Sequence, residues 1–195
     1  GPEGQDRPSF DPVYQYLVRQ GYCVLAPNVR GSSGYGRAYI HLDDVRKRMD
    51  SVRDIEQGWR WLVESGWGHA ERIAVMGGSY GGFMTLACIT TYPELWTAAV
   101  ELFGMSNLHT FLENTSSYRR RLRELEYGSL QHDADFLKEI SPINHVDRVR
   151  TPLLVLHGAT DARVPIAETE QMVEALRDRG MPVEYIRFED EGHGF

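Results

Sequence analysis

Ser79 lies in Gly77-Gly78-Ser79-Tyr80-Gly81-Gly82, a G-x-S-x-G spacing with further glycines inside and beside it. The apolar run Arg72-Ile73-Ala74-Val75-Met76 leads in, and a second, at residues 83–89, leads out. Strand, tight turn and helix form the setting of a nucleophile elbow. A serine on such a turn has strained backbone angles, and its neighbours must be small. The turn lifts the Ser79 hydroxyl to a helix N-terminus, where a base can meet it. The next backbone N–H, that of Tyr80, can meet an oxyanion. The plainer alternative is a glycine-rich turn with an idle serine. A dinucleotide or phosphate loop fits less well, because neither G-x-G-x-x-G nor Gly-Lys-Ser/Thr is present.

A serine hydroxyl needs a base, and the base needs a group to orient it. Seven histidines are candidates. His41, His69, His109 and His132 fall in polar stretches away from strand ends. His145 precedes a strand and reads as a packed or capping residue. His157 ends a strand and leads into the loop assigned to the acid. His193 sits between Gly192 and Gly194 just past the last strand, and those glycines let the backbone bring the ring over the strand ends. It is the favoured base. Asp161 is the only carboxylate in the loop Gly158-Ala159-Thr160-Asp161-Ala162-Arg163-Val164-Pro165. Loop aspartates commonly serve as turn or cap residues; its place between Ser79 and His193 raises it to the acid. Asp190 and Glu191 read as turn residues. The order serine, acid, histidine is that of the α/β-hydrolase architecture.

These residues require a scaffold that presents them together. Residues 10–20 have helical spacing, with Val13, Tyr14, Leu17 and Val18 on one side and Gly21 as the stop. Residues 22–27 read as a short apolar strand of a parallel sheet, followed by a glycine-rich loop. A helix capped by Asp50 runs to about Ser65. Strands follow at residues 72–76, 97–103, 153–157 and 183–188, and a helix runs from near Ile166 to Gly180. Alternating strands and helices predict an α/β fold, a mostly parallel sheet with helices on both faces. The whole of 1–195 reads as a single domain, with a helical insertion at about 104–150. Active residues belong beyond the carboxyl ends of such strands.

The chain has 195 residues, a charge of −7 and 42% hydrophobic residues, an ordinary globular composition. The acidic balance argues against a nucleic-acid partner. The basic cluster Arg119-Arg120-Arg121 and Arg123 is followed by Glu124 and Glu126, the pattern of a solvated helix face. No apolar run reaches membrane-spanning length, and no signal peptide is visible; the expected compartment is the cytoplasm. Cys23 and Cys88 lie in core-like runs and read as buried thiols. No cluster has metal-site spacing, and no cofactor is implied.

The chain resembles the catalytic domain of the prolyl oligopeptidase family of serine peptidases, especially its acylaminoacyl-peptidase-like branch. The resemblance rests on Asn28-Val29-Arg30-Gly31-Ser32-Ser33-Gly34-Tyr35-Gly36, on the Ser79 turn, on Ser141-Pro142-Ile143, on His157-Gly158 with Asp161-Ala162-Arg163-Val164-Pro165, and on Glu191-Gly192-His193-Gly194. It implies that Ser79 is the nucleophile, His193 the base and Asp161 its orienting acid. It implies that Tyr80 N–H is one oxyanion donor, and that Gly1 belongs to a His-Gly-Gly-Pro stretch giving the second. Arg163 matches an arginine that binds a substrate carbonyl, and Val164 a residue lining the first specificity pocket. The resemblance further implies a catalytic domain truncated at both ends, with five of the usual strands, an exposed sheet edge and an N-terminal β-propeller in the longer protein. The implied activity is hydrolysis of short or N-acylated peptides. Carboxylesterase activity by the same triad and a non-catalytic interaction domain are the alternatives.

Overall fold

A computed structural model describes residues 3–195. Its framework is four parallel strands in the order β1-β2-β3-β4: β1 (Ala74–Gly78), β2 (Ala98–Leu102), β3 (Leu153–Gly158) and β4 (Val183–Phe188). The register sets Val75, Ala99, Leu153 and Val183 in one row, and Gly77, Glu101, Val155 and Tyr185 in the row two residues on. Side chains alternate across a strand, so both rows share a face. That face is the better buried, with Ala99, Glu101, Leu153, Val155 and His157 in the interior.

The described residues also form eight α-helices: α1 (Pro12–Arg19), α2 (Arg37–Ile40), α3 (Arg48–Glu64), α4 (Tyr80–Thr91), α5 (Leu108–Asn114), α6 (Ser117–Tyr127), α7 (Ala134–Glu139) and α8 (Ala167–Asp178). α4 joins β1 to β2 and α8 joins β3 to β4. Right-handed crossovers running in one direction bring both to the same face, where both pack against the 3-10 segment Pro142–Arg148. α4 is apolar all round and almost wholly buried, as a central helix must be. The core runs from α4 through Ala99, Leu153 and Val155 to Met172, Val173 and Leu176 of α8. Between β2 and β3, α5 to α7 are short pieces. Asn107 caps α5 by accepting the N–H groups of His109 and Thr110. Buried Ser141 donates to the Leu137 carbonyl and accepts from Leu108 N–H, so Ser141-Pro142-Ile143 ties α7 to α5.

Three local expectations are corrected. Residues 22–27 form no strand: among the described residues the sheet has four strands rather than five, and β1 and β4 are its edges. An apolar run becomes a strand only with a neighbour to share its backbone hydrogen bonds, and among the described residues this segment has none. Its Tyr22 is 62% exposed, and Cys23, read as buried, is exposed. Asp50 lies inside the first turn of α3, not at its cap; its carboxylate suits the positive end of the helix dipole there. On the other sheet face Met76 and Ile186 are exposed. α1 buries no residue although its start is well built: the Asp11 side chain accepts from Val13 and Tyr14 N–H, and Pro12 holds the first position. Among the described residues, no helix is long and apolar enough to cross a membrane.

Candidate active site

The carboxyl ends of β1, β3 and β4 meet at one place. Ser79, directly after β1, has φ 57 and ψ −118, a region costly for any residue with a Cβ. The strain is held by packing and hydrogen bonds on both sides. Ser79 N–H donates to the Leu102 carbonyl of β2 at 2.9 Å, and its own carbonyl starts α4 by accepting from Gly82 and Phe83. A Cβ at Gly77 would strike the Gly81 backbone, so the tight strand-to-helix reversal requires glycine there. Tyr80 is the first residue of α4, and the N–H of that position has no partner within the helix.

Asp161 follows β3. Its Oδ1 accepts the Arg163 and Val164 N–H groups at 2.7 and 2.9 Å, a local turn that fixes the carboxyl plane. His193 follows β4. Its loop is fastened to the acid's loop through the Glu191 carbonyl, which accepts from Thr160 N–H at 3.0 Å and Thr160 Oγ1 at 2.8 Å. A Cβ on Gly158 would meet the Glu191 and Gly192 backbones, so this glycine permits the close approach.

The three side chains then form one hydrogen-bonded row. Ser79 Oγ lies 2.8 Å from His193 Nε2, and His193 Nδ1 lies 2.7 Å from Asp161 Oδ2. The carboxylate accepts, so His193 Nδ1 carries the proton, and Nε2 is left to accept from the serine hydroxyl. Asp161 is buried while Ser79 and His193 are half-buried: the carboxylate is shielded, and the serine and the imidazole stay accessible. The edge of the Phe103 ring packs on His193 at 4.8 Å between centroids, and Phe195 packs on Phe103 and Phe188.

Other sequence candidates fall as follows. Gly1 lies outside the described residues. Arg163 is exposed, and among the described residues no carboxylate pairs with it. Val164 is 2% exposed and belongs to the hydrophobic core, with its N–H on Asp161. His145 is held through its ring by the Glu139 carbonyl, away from Ser79. Among the described residues no group of His, Cys, Asp or Glu could hold a metal.

Sequence reasoning missed two supports. Arg48 is fully buried beneath the elbow; it pairs with Asp43, donates to Tyr80 Oη at 2.8 Å and to the Glu126 carbonyl at 2.7 Å. Its place in a charged helical run gives no sign of burial. His157 is buried with Nε2 3.3 Å from Asp161 Oδ2. Its signal was its position at a strand end, directly before the acid's loop and four residues from Asp161.

The profile described as "Prolyl oligopeptidase family" matches residues 8–195. Dipeptidyl aminopeptidase BIII of Pseudoxanthomonas mexicana is 36% identical over 200 residues, covering 100% of this chain and 29% of that protein. An acylamino-acid-releasing enzyme of Arabidopsis thaliana is 32% identical, covering 99% of this chain and 26% of that protein. A solved structure of a Mycobacterium tuberculosis puromycin-hydrolyzing peptidase superposes with a TM-score of 0.91 at 36% identity, covering 100% of this chain and 30% of that one. The chain thus spans about 26–30% of the length of these relatives.

Proposed function

The chain belongs to the prolyl oligopeptidase family, and from that premise we propose that it carries the active site of a serine peptidase acting on short or N-acylated peptides. The observation that carries this reading is the one-way row of hydrogen bonds from Ser79 through His193 to Asp161. In the proposed reaction, His193 Nε2 takes the hydroxyl proton as Ser79 Oγ attacks the substrate carbonyl carbon. Asp161 keeps the proton on Nδ1 and stabilises the imidazolium. Tyr80 N–H, at the positive end of α4, meets the carbonyl oxygen as it gains charge. Collapse of that intermediate expels the amine, which receives the proton from His193, and leaves an acyl group on Ser79. Water then attacks with His193 again as base, releasing the acid and restoring the hydroxyl.

Arg163 is the proposed substrate anchor, because its guanidinium is exposed and unpaired among the described residues. A free guanidinium can hold a backbone carbonyl upstream of the cleaved bond. The test is turnover of dipeptidyl and N-acyl-aminoacyl amides by the intact protein and by Ser79→Ala. The expected result is hydrolysis by the first and a loss of several orders of magnitude in the second. Peptide hydrolysis that survives Ser79→Ala overturns the assignment.

A further inference from the structure

Behind the acid stands a polar row that the reaction above does not use. Glu101 on β2 is 1% exposed, His157 on β3 is 0% exposed and Thr169 on α8 is 2% exposed. Three polar side chains in a core must satisfy one another or be satisfied by the backbone. Their hydrogen bonds have a single consistent direction. His157 Nε2 lies 3.1 Å from the Val164 carbonyl, which can only accept, so this nitrogen carries the proton. The same nitrogen is 3.3 Å from Asp161 Oδ2. Burial lowers the pKa of this imidazole below its ordinary value, so the neutral ring has a bare Nδ1. That atom lies 2.7 Å from Thr169 Oγ1 and accepts its hydrogen bond. Thr169 has then spent its one donor, yet it also faces Glu101 Oε2 at 3.5 Å. Glu101 supplies that donor only as the neutral acid. Burial pushes its carboxyl to about 8, and its other oxygen accepts from Gly104 N–H.

We propose that Glu101, Thr169 and His157 are positioning residues for the acid, a buried row that anchors the Val164 carbonyl and so holds the turn of Asp161 facing His193. The inference rests on the triad reading above and adds to it. Asp161 has three N–H donors, Arg163 and Val164 on Oδ1 and His193 on Oδ2, while His157, whose Nε2 proton goes to the Val164 carbonyl, stands 3.3 Å from Oδ2. None of the three donor nitrogens can accept a proton in its present state, so the carboxylate is fixed as an acceptor in both rotation and protonation. Thr169 sets the tautomer of His157, and Glu101 sets the direction of the Thr169 hydroxyl. Each bond in such a row strengthens the next.

The test uses the intact protein labelled with 15N-histidine, with signals assigned by single substitutions, and peptide kinetics on Thr169→Val and Thr169→Ser. In the wild type, His157 should carry its proton on Nε2, and the bare Nδ1 signal should move in Thr169→Val but not in Thr169→Ser. For peptide amides, kcat should fall about three- to tenfold in Thr169→Val with KM unchanged, the size of one neutral hydrogen bond, and return in Thr169→Ser. A His157 protonated on Nδ1 overturns the proposal. Equal kcat in the valine and serine variants does so too, because a role through packing alone would not need the hydroxyl. The imidazole signals are read without turnover. Failure of the triad reading shows separately, as hydrolysis that persists in Ser79→Ala.

Discussion

Replacing Glu101 with glutamine should remove part of the alkaline loss of stability. Burial raises the Glu101 carboxyl from 4.5 to about 8. The groups facing it are Gly104 N–H, the Thr169 hydroxyl and, from β4, Tyr185, with His157 behind Thr169. Gly104 N–H favours the carboxylate, but desolvation outweighs it. Folding therefore takes up a proton here. The stabilisation is complete below the ordinary carboxyl value and is lost as pH rises through about 8. From about pH 5.5 to about pH 8 the loss amounts to about 3 kcal/mol, at about 1.4 kcal/mol per pKa unit. Glutamine has no proton to take up. Its amide can still donate to Thr169, and its carbonyl can still accept from Gly104. Glu168, raised to about 7, has the same sign in both proteins and cancels from the difference. The assay is urea unfolding of wild type and Glu101→Gln at both pH values, with m-values compared. The variant should gain about 3 kcal/mol on the wild type between the two conditions. Parallel pH dependences would refute the buried, protonated carboxyl.

Arg163→Ala should lower kcat/KM for peptide amides about ten- to a hundredfold, the effect of losing a hydrogen bond to a charged group. Hydrolysis of a small acyl ester, which offers no upstream carbonyl, should change far less; paired assays on both substrates decide it. Asp161→Asn should fold, since the Oδ1 turn with Arg163 and Val164 N–H survives. Its amide N–H would face His193 Nδ1, so kcat should drop roughly ten-thousandfold through the wrong His193 tautomer. Arg48→Met should cost about 3–5 kcal/mol in chemical denaturation by leaving buried Asp43 without its partner.

How much was legible in the sequence depends on how local each signal was. The Ser79 turn was readable because glycines at fixed offsets answer a steric demand, and Gly77 has that demand in the structure. The strands at 97–103, 153–157 and 183–188 were readable because both ends carried turn residues, and β4 matches its expected bounds. Residues 22–27 misled because pairing, not composition, makes a strand, and a pairing partner leaves no trace in the run itself. Asp161 and His193 came from order along the chain, and their meeting depends on parallel strands delivering both loops to one edge. The row behind the acid was not legible. Glu101, His157 and Thr169 are 12 or more positions apart in sequence, and each alone is an ordinary residue of a strand or helix. Arg48 was hidden for the same reason: only the fold shows that it lies under Tyr80.

The most direct test of the central claim is covalent trapping. The intact protein is treated with a peptidyl phosphonate, digested, and mapped by mass spectrometry, with His193→Ala alongside. The account predicts a single adduct on Ser79, formed fast in the wild type and slowed by several orders of magnitude without the His193 base. An adduct on a different serine, or labelling of Ser79 that is equally fast without His193, would contradict it.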